Sequence, residues 1–139
     1  KEFKKPYLIG IHISEGTNLP SGEKISKIKD VIDDEVLGVI LSCVSPENYE
    51  TNLNEVKSLG VPFGFKLNGF ITTKPYTSYT ENYLKSKTGN PIEVLGKRED
   101  LNPDNMAKIV KKFKDSGATI LGGCCETSPS HIEAMAKLK

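Results

Sequence analysis

The stretch VLGVILSCVSPENYETNLNEVKSLGVPFGFKL, Val36–Leu67, decides the fold. Residues 36–42 are almost continuously apolar and β-forming, as in a parallel strand covered on both faces. Cys43 stands at the C-terminal end of that strand. Ser45 and Pro46 then mark a helix start, a hydroxyl N-cap followed by proline in the first turn. The helix is expected to run to about Leu59 and to stop at Gly60, which suits a helix terminus. A second strand follows at 61–67. Its alternation puts Phe63, Phe65 and Leu67 on one face and Gly64 and Lys66 on the other. Strand, helix, strand with short connections is a parallel βαβ unit.

Both flanks repeat the theme. Upstream, the apolar segment 6–13 ends in a loop through Ser14, Glu15, Gly16, Asn18, Pro20 and Gly22. Ile25, Ile28, Val31 and Ile32 then predict an α-helix over 23–33. Downstream, residues 69–101 have weak patterning, and a segment of that length is usually functional or mobile. Asn102-Pro103 opens another helix, ended by Gly117. A strand is predicted at 118–123, and Thr127-Ser128-Pro129 opens the last helix, to Leu138. Four consecutive βα units define an α/β class with a parallel sheet and right-handed crossovers. Either a doubly wound sheet or part of a (βα)8 barrel satisfies the pattern. A whole barrel needs about 250 residues, so a chain of 139 corresponds to roughly half of one. The absence of an initiating Met and the basic stub before the first strand read as a chain cut from something longer.

Composition narrows the function. Hydrophobic residues at 37% and charged residues at 27% match a globular domain with a core. The net charge of +1 leaves no surplus of cations to hold a phosphate backbone, so a nucleic-acid role is not expected. No apolar run exceeds that of Val39-Ile40-Leu41, so no membrane span is expected. There is no signal-peptide pattern either, and a cytoplasmic location is the default.

The cysteines are Cys43, Cys124 and Cys125. An odd number without a secretory signal argues against a disulfide framework. Active sites of parallel α/β folds lie beyond the C-terminal strand ends, and all three cysteines sit there. Three thiolates at one point suit zinc, and three protein ligands leave the fourth tetrahedral position open, as catalytic zinc sites do. Cys124 and Cys125 can reach one ion only if the strand ends or bulges, and Gly122-Gly123 is expected to allow that through its backbone freedom.

The run Gly122-Gly123-Cys124-Cys125-Glu126-Thr127-Ser128-Pro129-Ser130-His131-Ile132 resembles the C-terminal zinc motif of the homocysteine S-methyltransferase family. Ser42-Cys43-Val44-Ser45-Pro46-Glu47 is similar to that family's first zinc-ligand motif, and Pro20-Ser21-Gly22-Glu23 to its loop after the fifth strand. The resemblance covers residues 1–139 and implies the C-terminal half of a (βα)8 TIM barrel. It also implies a zinc cofactor held by Cys43, Cys124 and Cys125, with no catalytic residue beyond these ligands. Homocysteine and a small-molecule methyl donor are the implied partners: the homocysteine thiol takes the fourth zinc position, attacks the donor's methyl as a thiolate, and leaves as methionine. The donor itself is not specified. The N-terminal half of the barrel, or self-association, would complete the sheet, and the chain alone would be inactive or nearly so. Two positions depart from the family's usual pattern, Ser42 in place of Asn and Asn68-Gly69-Phe70 in place of Asn, a small residue and Gly.

Other polar residues have plainer readings beside the functional ones. Asn68 is assigned to substrate binding, with the metal-ligand loop or a simple loop cap as alternatives. Lys66 is expected inside the barrel, paired with an acid. His12 and His131 are weak candidates for a fourth ligand. Glu15 and Glu126 are expected as solvated carboxylates near the mouth. Tyr76, Tyr79 and Tyr83 form either a lid or surface packing. Two further readings of the cysteines remain open: a non-catalytic zinc scaffold with a fourth protein ligand, and a redox dithiol formed by Cys124 and Cys125.

Overall fold

In the computed structural model of the protein, residues 5–13, 18–71, 88–90 and 92–138 are described. Four strands form one parallel sheet: β1 (Tyr7–Ile11), β2 (Val36–Val44), β3 (Phe63–Leu67) and β4 (Ile120–Gly123). The spatial order is β1-β2-β3-β4, so each strand pairs with its neighbours in sequence. The helices are α1 (Pro46–Lys57), the short α2 (Ile92–Leu95), α3 (Pro103–Asp115) and α4 (Pro129–Ala136). This is the predicted α/β class and element order.

The helix starts follow their local chemistry. Ser45 Oγ accepts from the Asn48 N–H, with Pro46 in the first turn of α1. Asn102 Oδ1 does the same for Asn105 at α3, again ahead of a proline. After α1 the chain turns through Gly60 at φ +78°, a left-handed angle that glycine adopts without steric cost. The segment predicted as an α-helix over 23–33 is instead a 3-10 helix, Ile25–Val31. Its residue before the first turn, Lys24, offers no side-chain cap. Ile25, Ile28 and Val31 recur every third residue, the 3-10 repeat, and Val31 is 55% exposed.

One sheet face carries the core. Val39, Leu41, Phe65 and Leu67 are fully buried against Tyr49, Val56, Met106 and Val110, with Phe113 beside them. Tyr49, Phe65 and Phe113 form an edge-to-face triad with ring centroids 4.7, 4.8 and 5.6 Å apart. The opposite face holds Gly10, Ile40, Ser42, Gly64, Lys66 and Gly122, in register across the ladders. Lys66 lies on the predicted face, between buried Phe65 and Leu67, but it is exposed and forms no ion pair with a described residue. The expected buried pair is therefore not formed among the described residues, where Lys66 stays exposed. Among the described residues, no helix is long and apolar enough to cross a membrane. Glu15 and the tyrosines at 76, 79 and 83 lie outside the described residues.

Candidate metal centre

Cys43 is the extra residue of a β-bulge. The β2–β3 register runs Ser42↔Lys66 and then Val44↔Leu67, so Cys43 and Val44 together face one residue of β3. The bulge turns the Cys43 backbone to φ +54°, a left-handed angle rare for a side chain with a Cβ. Asn68 holds it there. Its Nδ2 donates to the Cys43 carbonyl at 2.7 Å and approaches Cys43 Sγ at 3.7 Å. Its Oδ1 accepts from the Phe70 N–H at 3.3 Å. Asn68 is only 9% exposed, and its amide is spent on these turns.

The second turn is built differently. β4 ends at Gly123, and the Cys124 N–H still reaches the Leu67 carbonyl at 2.7 Å. The chain then reverses. The Cys124 carbonyl accepts from the Thr127 N–H at 3.2 Å and from Thr127 Oγ1 at 2.6 Å. The left-handed residue here is Glu126, at φ +61°, and not a glycine. The expectation that Gly122-Gly123 supplies unusual backbone angles is thus corrected: neither has positive φ. Gly123 is needed for space, since a Cβ there would lie 2.3 Å from Thr127 Oγ1.

These two turns bring together thiols 82 positions apart. Cys43 and Cys125 sulfurs lie 3.6 Å from each other, Cys124 and Cys125 sulfurs 4.0 Å, and all three fall within 4.8 Å. Sulfurs around a tetrahedral zinc with bonds of about 2.3 Å stand about 3.8 Å apart. The cluster therefore fits a thiolate-bound zinc with small adjustment, and a disulfide, near 2.0 Å, is a different geometry. Burial pushes the Cys43 thiol up from its ordinary 9.0 to about 12, and the neighbouring Cys124 and Cys125 sulfurs push the same way. The Cys125 thiol is raised too, first by the partial burial of its sulfur against the cluster, although the residue itself is exposed. Crowded thiols hold their protons without a metal, and a divalent cation reverses that preference.

His131 is not at the cluster. It is 8% exposed and latches two elements together. Its Nδ1 accepts from the Ser128 N–H at 3.0 Å, and its Nε2 contacts the Leu101 carbonyl at 2.8 Å, which assigns the ring proton to Nε2. His12 is exposed on the open side of the sheet. Among the described residues, the group that could hold a metal is Cys43, Cys124 and Cys125.

Sequence reasoning overlooked Arg98. Its Nε and Nη2 grip Asp100 at 3.0 and 2.7 Å, and its Nη1 reaches Glu47 of α1 at 2.7 Å. Both carboxylates raise the Arg98 guanidinium further, and Arg98 holds the Asp100 carboxyl below its usual range. A cleft of about 610 Å³ opens beside them, lined by Glu47, Ile71, Lys97, Arg98, Glu99 and Asp100. A lone arginine in a weakly patterned loop carries no periodic signal that could have flagged it.

A parallel α/β sheet with three convergent cysteines at its C-terminal strand ends defines a class: proteins that present a thiolate cluster at the mouth of the sheet. Residues 1–138 match the family described as Homocysteine S-methyltransferase, and the chain belongs to that family. Similar curated proteins include Homocysteine S-methyltransferase 2 of Arabidopsis thaliana, 25% identical over 98% of this chain and 37% of the relative. Homocysteine S-methyltransferase 1 of Saccharomyces cerevisiae is 27% identical over 96% of this chain and 39% of the relative. Selenocysteine methyltransferase of Astragalus bisulcatus is 24% identical over 89% and 33%. The chain thus spans little more than a third of the length of these relatives. The crystal structure of the homocysteine methyltransferase MmuM from Escherichia coli, oxidized form, shares the fold at a TM-score of 0.56. That match is 17% identical and covers 88% of this chain and 32% of MmuM.

Proposed function

We propose that this chain carries the zinc site of a methyltransferase that moves a methyl group from a small-molecule donor to the thiol of homocysteine, giving methionine. The observation that carries this reading is the convergence of Cys43, Cys124 and Cys125 within 4.8 Å, from two separate turns, in a chain of this family. When bound, zinc would supply Lewis acidity that favours the thiolate form of the acceptor. Cys43, Cys124 and Cys125 would hold the ion. Asn68 serves the substrate by fixing the Cys43 turn, so that the rim on which homocysteine rests keeps its shape. In the transfer, a sulfur–carbon bond forms on the acceptor as the donor's bond to methyl breaks, and the donor keeps the electron pair. This chain's part is to position the accepting sulfur.

We further propose that the four βα units are the C-terminal half of a (βα)8 barrel, working in a reducing cytoplasm. The strand order β1-β2-β3-β4, the glycine-rich open face and the one-third coverage of relatives support it. A companion half would pair with the outer edges of β1 and β4, and self-association is the second choice. The anchors for the amino acid end of homocysteine are then expected on the companion half. The test is direct. Protein prepared without chelator should hold about one zinc per chain, and the 139-residue chain should show little homocysteine-dependent turnover until the rest of the barrel is supplied. Robust turnover by the chain alone, or its behaviour as a stable monomer indifferent to the companion half, overturns the half-barrel proposal. Absence of zinc overturns the metal assignment.

A further inference from the structure

We infer that Arg98 is a positioning residue of the metal centre, tying the two cysteine turns to each other from outside the sulfur cluster. The inference rests on the zinc reading above and extends it to a residue with no metal-ligating atom.

Two routes run from Arg98 to the thiols. The first goes through its side chain. Nη1 holds Glu47 Oε1 at 2.7 Å, and Glu47 lies in the first turn of α1, directly after the bulge that carries Cys43. The second goes through its backbone. The Arg98 N–H donates to the Gly69 carbonyl at 2.8 Å, and the Gly69 N–H donates to the Cys125 carbonyl at 3.0 Å. One residue therefore separates Arg98 from the Cys125 turn. Arg98 itself is fixed: Asp100 takes both Nε and Nη2, and the arginine side chain is only 19% exposed. A planar guanidinium with a fork of donors can satisfy Asp100 and Glu47 together, which a lysine ammonium cannot do in the same geometry.

The turns need such a tether. Each contains a non-glycine residue at positive φ, Cys43 in one and Glu126 in the other. Residues in that region persist only where their surroundings over-determine them. Asn68 fixes Cys43 relative to β3. Arg98 fixes the start of α1 relative to Gly69, and through Gly69 relative to Cys125. Without it, the sulfurs would have to be drawn together by the metal at the expense of binding.

The experiment is a competition titration of zinc, with the cobalt-substituted spectrum as a second readout, on the protein and on Arg98→Met, Arg98→Lys and Glu47→Gln. The expected result is a loss of zinc affinity of about tenfold or more in Arg98→Met, with an altered cobalt–thiolate spectrum. Arg98→Lys should recover little of it. Glu47→Gln should weaken binding in the same direction, and its combination with Arg98→Met should add little, since both act on one contact. A merely structural role would lower the melting midpoint of the metal-free protein while leaving affinity and spectrum unchanged, and that result overturns the inference. So does full additivity of the two substitutions. If Arg98→Met does not fold, Glu47→Gln, at an exposed side chain, decides alone: wild-type affinity there overturns the inference and weakened affinity supports it. An unsubstituted protein that binds no metal removes the zinc reading and this inference together, an outcome distinct from metal bound equally by all variants.

Discussion

The turn that carries Cys43 and the turn that carries Cys124 and Cys125 place their backbone strain differently. In the first, the ligand itself is the left-handed residue, at φ +54°, and a buried asparagine side chain holds it. In the second, strain falls on Glu126, beside the ligands, and the holding bonds come from the Gly69 backbone and Thr127. A strained ligand depends on its tether, whereas a ligand next to strain keeps an ordinary backbone. The Cys43 turn should therefore be the more fragile half of the centre.

The largest test of this contrast exchanges the ligands. Cys43→Ser should abolish stoichiometric zinc, while Cys125→Ser, at an exposed position where water can enter, should keep a weakened site. Metal analysis of both proteins checks it, and equal loss would break the comparison. Next comes Asn68→Ala, expected to cost about 10–100-fold in zinc affinity. A chelator titration showing no change would mean that the bulge holds Cys43 without its tether.

The second turn has its own weak point. Gly123→Ala forces a Cβ against Thr127 and should destabilise the protein by about 1–3 kcal/mol, read by denaturant unfolding. Glu126→Gly removes a left-handed penalty and should stabilise by about 0.5–1 kcal/mol. The smallest effect is in pH. Burial pushes the Cys43 thiol up from its ordinary 9.0 to about 12 in the fold, so the unfolded chain sheds its proton first. Stability of the metal-free protein is then full below pH 9.0 and declines as pH rises toward 12. From pH 9.0 upward its melting midpoint should drift down while that of the zinc-loaded protein holds.

Much of the fold was legible because its signals are local. Ser45-Pro46 and Asn102-Pro103 announce helix starts, and α1 and α3 begin there. The apolar run at 36–42 became the central β2, extended by two residues through the bulge. The cysteines were legible as a set because topology alone puts them on one rim. What escaped was non-local or conformational. Cys43 and Glu126 carry no residue-type signal for positive φ. The Gly122-Gly123 pair looked like hinge glycines, yet Gly123 answers to a neighbour four residues on. His131 resembled a metal ligand by proximity, but its ring is claimed by Leu101, which only the packing of α4 beside α3 brings near. The 3-10 helix escaped because a three-residue apolar repeat over so few residues imitates an α-helical one.

The strand order carries a consequence for how the centre comes into being. Each strand pairs with the one made just before it, so the sheet can grow in the order of synthesis, although β4 must close a much longer connection than β2 or β3. The cysteines do not follow that order. Cys43 is in place once β3 docks and Asn68 closes on it, but its partners arrive only with β4, the last strand among the described residues. A growing chain thus exposes Cys43 as a solitary thiol until β4 docks, and gains a metal-binding trio at that step. Capture of zinc is in this sense a timestamp: it can register only on molecules whose sheet has been completed through β4.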